Sequence, residues 1–548
     1  MLYALLLLVP SAGGATLPGR YYERMREGAA KVRERLAADP SATLQALEST
    51  PGWRHFPSMV LVAAVLHKQK DPGALDLALQ IGDLVCSEHE KGRYNTRLDH
   101  HRDTYMWLEA YRLLERELGD ARHARWRKAL QENLTPLAAD VARMQDYPLY
   151  HSPFIGTSPN HYSLWSATSY LAGKVFGNME WERTAGRVMH RFAVEQSPDG
   201  FWGEHSPAGP TTDYDYLTSS AVALYYEHSR DKAALEALRR STTFHEYFTY
   251  PDGVGVETVN DRNRYGYVSM WGHFGFSHFP DGRRYAEFLV DRYADRISLE
   301  MLGRMAQDAL YWHAGPTAPI PLDRDRFAYR MQVPAGVRKS GPWVVCLSGI
   351  VATQAPGNQF YLDRQSHISV FHEKLGLIVT GANSKRQPEL ATFTEREGSY
   401  VFHMPQVTKF DMGEAVDTLA LAYSRFFAVM RVGIEKGVGI RTALVRRGRS
   451  VDSDFHLQLC LKPGEALETG SGTKVTVGTE PVEVETGGWI RHHGWTLKTD
   501  AGARLKWPVY PFNPYANGPE RGLAHAVALV TVPLRDGPPE FTVSIDAN

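Results

Sequence analysis

The segment Asp199-Gly-Phe-Trp-Gly-Glu-His-Ser-Pro207, with Asp213-Tyr-Asp-Tyr216 close behind it, decides how this chain is read. Gly200, Gly203, Pro207, Gly209 and Pro210 punctuate the segment too densely for a regular helix or a central strand. It reads instead as an aromatic loop that carries one imidazole, His205. A helix is expected to open at Thr211, Thr212 or Asp213, all good N-cap types, and to run through Leu217, Ala221, Leu224 and Tyr225. Two phenols, Tyr214 and Tyr216, sit at that opening. A His and a Tyr at a loop-to-helix junction can move a proton between them across a substrate. A plainer role carries equal weight: the tyrosines line a groove and His205 caps a turn.

Outward from this segment, residues 21–313 are dominated by helical periodicity. About a dozen modest helices are expected, among them 22–38, 59–67, 74–86, 104–118, 122–144, 161–176, 181–195, 214–228, 233–244, 285–294 and 299–312, with a short one capped by Ser41. Consecutive helix pairs in such number curl into a solenoid or a closed toroid. Long aromatic loops interrupt the later pairs at 146–160, 197–210 and 250–278, where functional groups tend to collect. Near Pro316 the pattern changes. Pro- and Gly-rich pieces read as a linker over 316–340, and beyond them the apolar residues recur with period two, as in an antiparallel sandwich of well over eight strands. The fold class is therefore α+β multidomain, an N-terminal (α/α) helical toroid at 20–315 followed by a C-terminal antiparallel β-sandwich at 341–548.

Composition narrows the function. Of 548 residues, 43% are hydrophobic and 22% charged, which is ordinary globular material. A formal net charge of -1 argues against a general nucleic-acid binder. The first ten residues form a short apolar run followed by small residues, with Gly13 and Ala15 placed as in a signal-peptide cleavage site. Residues 1–15 are thus expected to be a signal peptide, and the mature protein secreted or periplasmic. That run is too short to span a bilayer, and no other stretch is apolar enough. Cys86, Cys346 and Cys460 are too few and too dispersed for a disulfide scaffold and read as buried free thiols.

No Gly-x-Ser-x-Gly elbow, phosphate loop or His-Glu-x-x-His is present. Proton transfer in a cleft remains. Abstraction of a proton α to a carboxylate needs a base near neutral pKa, a donor for the leaving oxygen and a group that neutralises the carboxylate. Asn160-His161-Tyr162, at the start of the 161–176 helix, offers such groups, with Trp165 on the face of His161. Asn160 is equally a sound N-cap.

A helical toroid before a large β-sandwich, with Asn160-His161 at one helix start and Asp199-Gly-Phe…His205 then Tyr at the next, resembles the toroid-type polysaccharide lyases. These include the heparinase II/III-like, chondroitin AC/hyaluronate and alginate lyases. The resemblance implies β-elimination on an acidic, uronic-acid-containing polysaccharide or oligosaccharide. It implies that Asn160, helped by His161, neutralises the uronate carboxylate and that His205 takes the C5 proton or assists in neutralisation. Tyr214 or Tyr216 would then protonate the glycosidic oxygen, or act as both base and acid. In such lyases an Arg often follows the Tyr closely, whereas here none follows until Arg230. Arg97, Arg102, Arg262 or Arg264 would have to fill that place.

Trp165, Trp202 and Glu204 complete the expected substrate-binding set, and His367 is the β-domain residue expected to join it. Relatives of the heparinase II type also hold a structural zinc in the β domain. Here His367, His372 and His403 lack tight ligand spacing, so no cofactor is expected, and a structural divalent metal is left unassigned. Two other readings stay open: a glycoside hydrolase using carboxylates among Asp199, Glu204, Asp213 and Asp215, and a non-catalytic glycan-binding protein whose groove stacks sugars.

Overall fold

The computed structural model describes residues 16–94, 101–149, 158–204, 209–260, 266, 268–293, 298–351, 366–382, 387–447, 452–534 and 539–548. The proposed signal peptide lies outside them. The helical part consists of α1 (Leu17–Ala38), α2 (Leu44–Glu48), α3 (Met59–Lys68), α4 (Ala74–Glu90), α5 (His101–Leu113), α6 (Gly119–Met144), α7 (Pro159–Phe176), α8 (Met179–Val194), α9 (Thr212–Ser229), α10 (Lys232–Tyr247), α11 (His273–Phe276), α12 (Pro280–Arg292) and α13 (Leu299–Tyr311).

Local chemistry sets the helix boundaries. Gly177 ends α7 in the left-handed region, and Asn178 at once caps α8 by accepting from the N–H groups of Glu180 and Trp181, both at 3.1 Å. Asp231 caps α10 through Ala233 N–H in the same way. The cap of the short α2 is Thr43 rather than Ser41, because Ser41 bonds the Asp39 carboxylate instead. Successive helices pack as pairs, and the last, α13, returns to lie against α1 and α3, closing the ring. Gly28 makes that closure possible: a Cβ there would sit 2.0 Å from the Leu302 side chain.

The C-terminal part is a sandwich of two antiparallel sheets. Along the main path of the first, eleven-stranded sheet, neighbouring strands run in the order Arg326–Arg330, Ala335–Ser340, Trp343–Ser348, Ile368–His372, Gly376–Thr380, Asp452–Leu459, Val527–Pro533, Arg504–Val509, Val482–Glu485. The second, nine-stranded sheet is centred on Glu540–Ala547, Val438–Arg446 and Phe426–Ile434. The stretch read as a linker holds the first two strands of the larger sheet. Pro334 within it and Gly341 just after it mark hairpin turns rather than loose chain.

Trp343-Val-Val-Cys-Leu-Ser348 is buried at every position, as a strand covered on both faces must be. Trp343, Val345 and Leu347 join the core between the two sheets. Val344 and Cys346 face the other way, into a second core shared with Phe201, Phe244, Phe248, Tyr250 and Val256 of the helical part. Toroid and sandwich are thus joined by hydrocarbon. The loop at 250–260 is locked to the sheet as well: the Tyr250 hydroxyl donates to Ser369 Oγ at 2.7 Å, and Gly381 N–H donates to the Glu257 carboxylate at 2.9 Å. Cys86, Cys346 and Cys460 are free thiols, the first two buried and the third half-buried.

Gly200 turns the 199–204 loop beneath α10. Its φ is +91°, and a Cβ would lie 2.3 Å from the Arg240 carbonyl oxygen. Gly200→Ala is expected to lower stability by at least ~1–3 kcal/mol, read as a fall in the thermal midpoint by circular dichroism.

Candidate active site

Helices α7 and α9 pack side by side, and both of their N-termini are tied to one short piece of chain. Ser158, not Asn160, is the N-cap of α7; Pro159 and Asn160 are its first two helical residues. Asn160 is buried, and its backbone N–H and side-chain Nδ2 donate to the two oxygens of Glu204 at 3.1 and 2.7 Å. A carboxylate taking amide protons at a helix N-terminus is favoured by charge as well as by hydrogen bonding. A second Nδ2 bond, to Ser158 Oγ at 3.0 Å, completes the donors. The amide oxygen, Oδ1, is buried with no hydrogen-bond partner among the described residues.

On the neighbouring helix, the Trp202 backbone N–H donates to Asp215 Oδ1 at 2.5 Å, and Asp215 Oδ2 lies 2.7 Å from His245 Nε2. Burial raises the Asp215 pKa, opposed by His245 and the Trp202 N–H. Asp199, at the other end of the loop, accepts the N–H groups of Gln332 and Val333 at 2.6 and 3.1 Å and so anchors the loop to the sheet. A cavity of about 390 Å³ opens beside this anchor, between Gln196, Phe201 and Val333, on the seam of the two domains and away from Asn160.

The two tyrosines part company here. Tyr216 turns inward: it is 2% exposed, stacks on His245 with ring centroids 3.8 Å apart, and bonds the Tyr285 hydroxyl at 2.5 Å. Burial pushes its pKa up, and it has no route to a sugar. Tyr214 is half-buried, with its hydroxyl 2.6 Å from that of Tyr515, an exposed residue of the β domain.

His161 is half-buried near the start of α7, against a second imidazole, His101, at 4.7 Å between centroids. Burial and then the nearby Arg102 push the His161 pKa down to about 4, so the ring is neutral at physiological pH. Burial, and then His161, also lower the His101 pKa, and neither of its ring nitrogens has a hydrogen-bond partner among the described residues. Trp165 meets His101 edge-on, and its buried indole N–H has no hydrogen-bond partner among the described residues. Arg102 and Arg304 both reach Glu300, at 3.0 and 2.5 Å, and both stack on Trp271.

Of the residues expected to act, Asn160, His161, Arg102, Trp165, Glu204 and Tyr214 belong to these ties and clusters around the starts of α5, α7 and α9. Trp202 does not stack sugars: it is buried, and its indole N–H donates to the Phe192 carbonyl at 2.8 Å. His367 is enclosed in the sandwich, bonded through Nδ1 to the Ser348 carbonyl at 2.8 Å, which removes it from any cleft. Arg97, His205, Arg262 and Arg264 lie outside the described residues. Sequence reasoning missed Trp271 and Tyr515, which come from distant loops with no motif around them. It also did not single out His101, which stands next to Arg102 in the sequence.

No protein-family model and no curated protein sequence matches the chain. Its fold, however, is that of the helical-toroid polysaccharide lyases. Heparinase III aligns with a TM-score of 0.53 at 11% identity over 90% of this chain and 76% of that one. The Streptomyces coelicolor A3 chondroitin AC lyase, solved with chondroitin sulphate, aligns at 0.50 and 11% identity over 98% and 80%. A heparan sulfate lyase HepC mutant from Pedobacter heparinus gives 0.50 at 10% identity over 90% and 76%.

The buried neutral imidazoles predict acid sensitivity. A His whose folded pKa lies below the unfolded value stabilises the fold above the unfolded pKa, and that contribution is lost as pH falls towards the folded one. The thermal midpoint should therefore drop between pH 6.5 and about 4, the ordinary and shifted values for His161. In the His161→Gln variant this decline should be shallower, measured by circular dichroism across that range.

Proposed function

We propose that the protein is an exported polysaccharide lyase that cleaves a uronic-acid-containing chain by β-elimination. The observation that carries this reading is the tie of both helix starts, at Asn160 and beside Tyr214, to the single loop 199–204. That tie supports the reading because an amide and a phenol then stand at neighbouring helix mouths, and the phenol is the proton donor that the leaving oxygen needs.

The chemistry follows from the groups. A base removes the C5 proton, the C5–H electrons form the C4=C5 double bond, and the C4–O bond breaks with protonation of the departing glycosidic oxygen. Loss of the C5 proton becomes feasible when the charge that develops on the carboxylate is neutralised. His161 is neutral and does not supply that charge; the guanidinium groups of Arg102 and Arg304 do. The unpartnered Oδ1 of Asn160 accepts from the carboxyl in its protonated form or from a sugar hydroxyl, and Glu204 fixes the amide in that orientation. Tyr214 delivers the proton to the leaving oxygen, and Tyr515 steadies its hydroxyl. His205, next in sequence to Glu204, is assigned the C5 proton. The substrate class is an acidic polysaccharide or oligosaccharide.

The hydrolase reading keeps only one of its four carboxylates, Asp213: Asp199 is spent on Gln332 and Val333, Glu204 on Asn160, and Asp215 on Trp202 and His245. No helix among the described residues is long and apolar enough to cross a membrane.

A panel of uronate polysaccharides should yield, with at least one member, products absorbing in the ultraviolet through the conjugated enol ether. Tyr214→Phe should lower kcat by ~10²–10⁴-fold. Tyr216→Phe should retain kcat within about tenfold while losing ~1 kcal/mol of stability through its buried hydroxyl bond. Equal losses of kcat in both variants, with both folded, would remove Tyr214 from the proposed role.

A further inference from the structure

We infer that Glu227, His278 and His313 form a binding site for a divalent transition ion of the zinc class. Glu227 lies in the last turn of α9, His278 at the junction of α11 and α12, and His313 just beyond α13. Glu227 Oε1 stands 2.9 Å from His278 Nε2 and 2.7 Å from His313 Nε2, and one ligand atom from each residue fits within a 4.8 Å group. The two imidazoles face one another with centroids 3.8 Å apart.

Two imidazole nitrogens and one carboxylate oxygen are the donor set that zinc takes where a fourth position stays open to water. The contact of His278 Nε2 with Glu227 lacks hydrogen-bond geometry, so this buried nitrogen has no hydrogen-bond partner among the described residues. Tetrahedral zinc at ~2.0–2.1 Å from each ligand separates them by about 3.3 Å, so each imidazole needs to back away from Glu227 by roughly half an ångström. His313 can provide that movement, since its side chain is 36% exposed, and the same exposure admits the ion and a water. The outer groups are also in place. Arg230 holds Glu227 Oε2 at 2.9 Å, leaving Oε1 as the single ligand oxygen, Tyr226 abuts the His278 ring, and Ser277 Oγ accepts His313 N–H.

The site is remote from the proposed chemistry. Glu227 stands thirteen residues after Tyr214 on one helix, about 20 Å along its axis, at the opposite rim of the toroid. An ion there pins three elements that meet where the helical ring closes and the chain leaves for the β domain. Its effect is on stability rather than turnover.

Zinc titration of tag-free, chelator-stripped full-length protein tests this, by calorimetry and by the thermal midpoint. The expected result is one zinc ion per chain and a midpoint raised by several degrees at saturating zinc. His313→Ala should weaken binding by more than the ~10–100-fold that an outer group is worth, with an unchanged circular dichroism spectrum. His372→Ala, in the β domain, should bind zinc as the parent does. Absence of binding to the parent protein, or undiminished affinity in His313→Ala, would overturn the inference.

Discussion

Three buried carboxylates hold the loop 199–204, and the site depends on that grip. Asp199 fastens one end to the first β-hairpin, Asp215 takes the N–H of Trp202 in the middle, and Glu204 grips the start of α7. Each accepts backbone amide protons that would otherwise be buried without partners, so each bond is worth more than a surface contact. Removing one leaves the facing N–H groups orphaned, which is the costly case for a buried polar group. The loop therefore keeps a fixed relation to two helix starts and to the sheet, though it has no regular structure of its own.

The division of labour between domains follows from the same packing. The larger sheet buries one face against its partner sheet and the other against the toroid, so strands such as Trp343–Ser348 serve two cores at once. The β domain is a fixed wall of the site, and through Tyr515 it places a hydroxyl beside Tyr214. A phenol at the contact of two domains, with the Arg102 and Arg304 guanidinium groups on the same toroid, fits the proposed anionic substrate lying across the seam. With His161 and His101 neutral, charge recognition in the proposed reaction rests on guanidinium groups, which stay protonated at any physiological pH.

Much of the architecture was legible in the sequence because it is written in local periodicity. Helical spacing up to Trp312 and two-residue alternation beyond Trp343 mark the two domains without any long-range information. The linker was misread because Pro334 and Gly341 mark a tight turn and a loose one alike, and only strand pairing tells them apart. Within the site, Asn160 and Tyr214 were legible as polar groups at helix starts. Tyr216 could not be separated from Tyr214 by spacing: two residues along a helix rotate a side chain through more than half a turn, and the packing of His245 and Tyr285 decides which one faces inward. Trp202 and His367 looked like ligand-facing residues because aromatic and imidazole side chains serve cores and clefts equally well. The Arg102–Trp271–Arg304 stack was out of reach, since it joins residues some two hundred positions apart.

The claim on which this account rests is that the cleft breaks a glycosidic linkage without consuming water. Mass spectrometry of the fragments from a cleaved uronate polysaccharide addresses it directly. The account predicts that one fragment of each pair is lighter by one water than its hydrolytic counterpart and carries the unsaturated sugar. Fragments that all carry the added water would contradict it and return the carboxylates of this loop to a catalytic role.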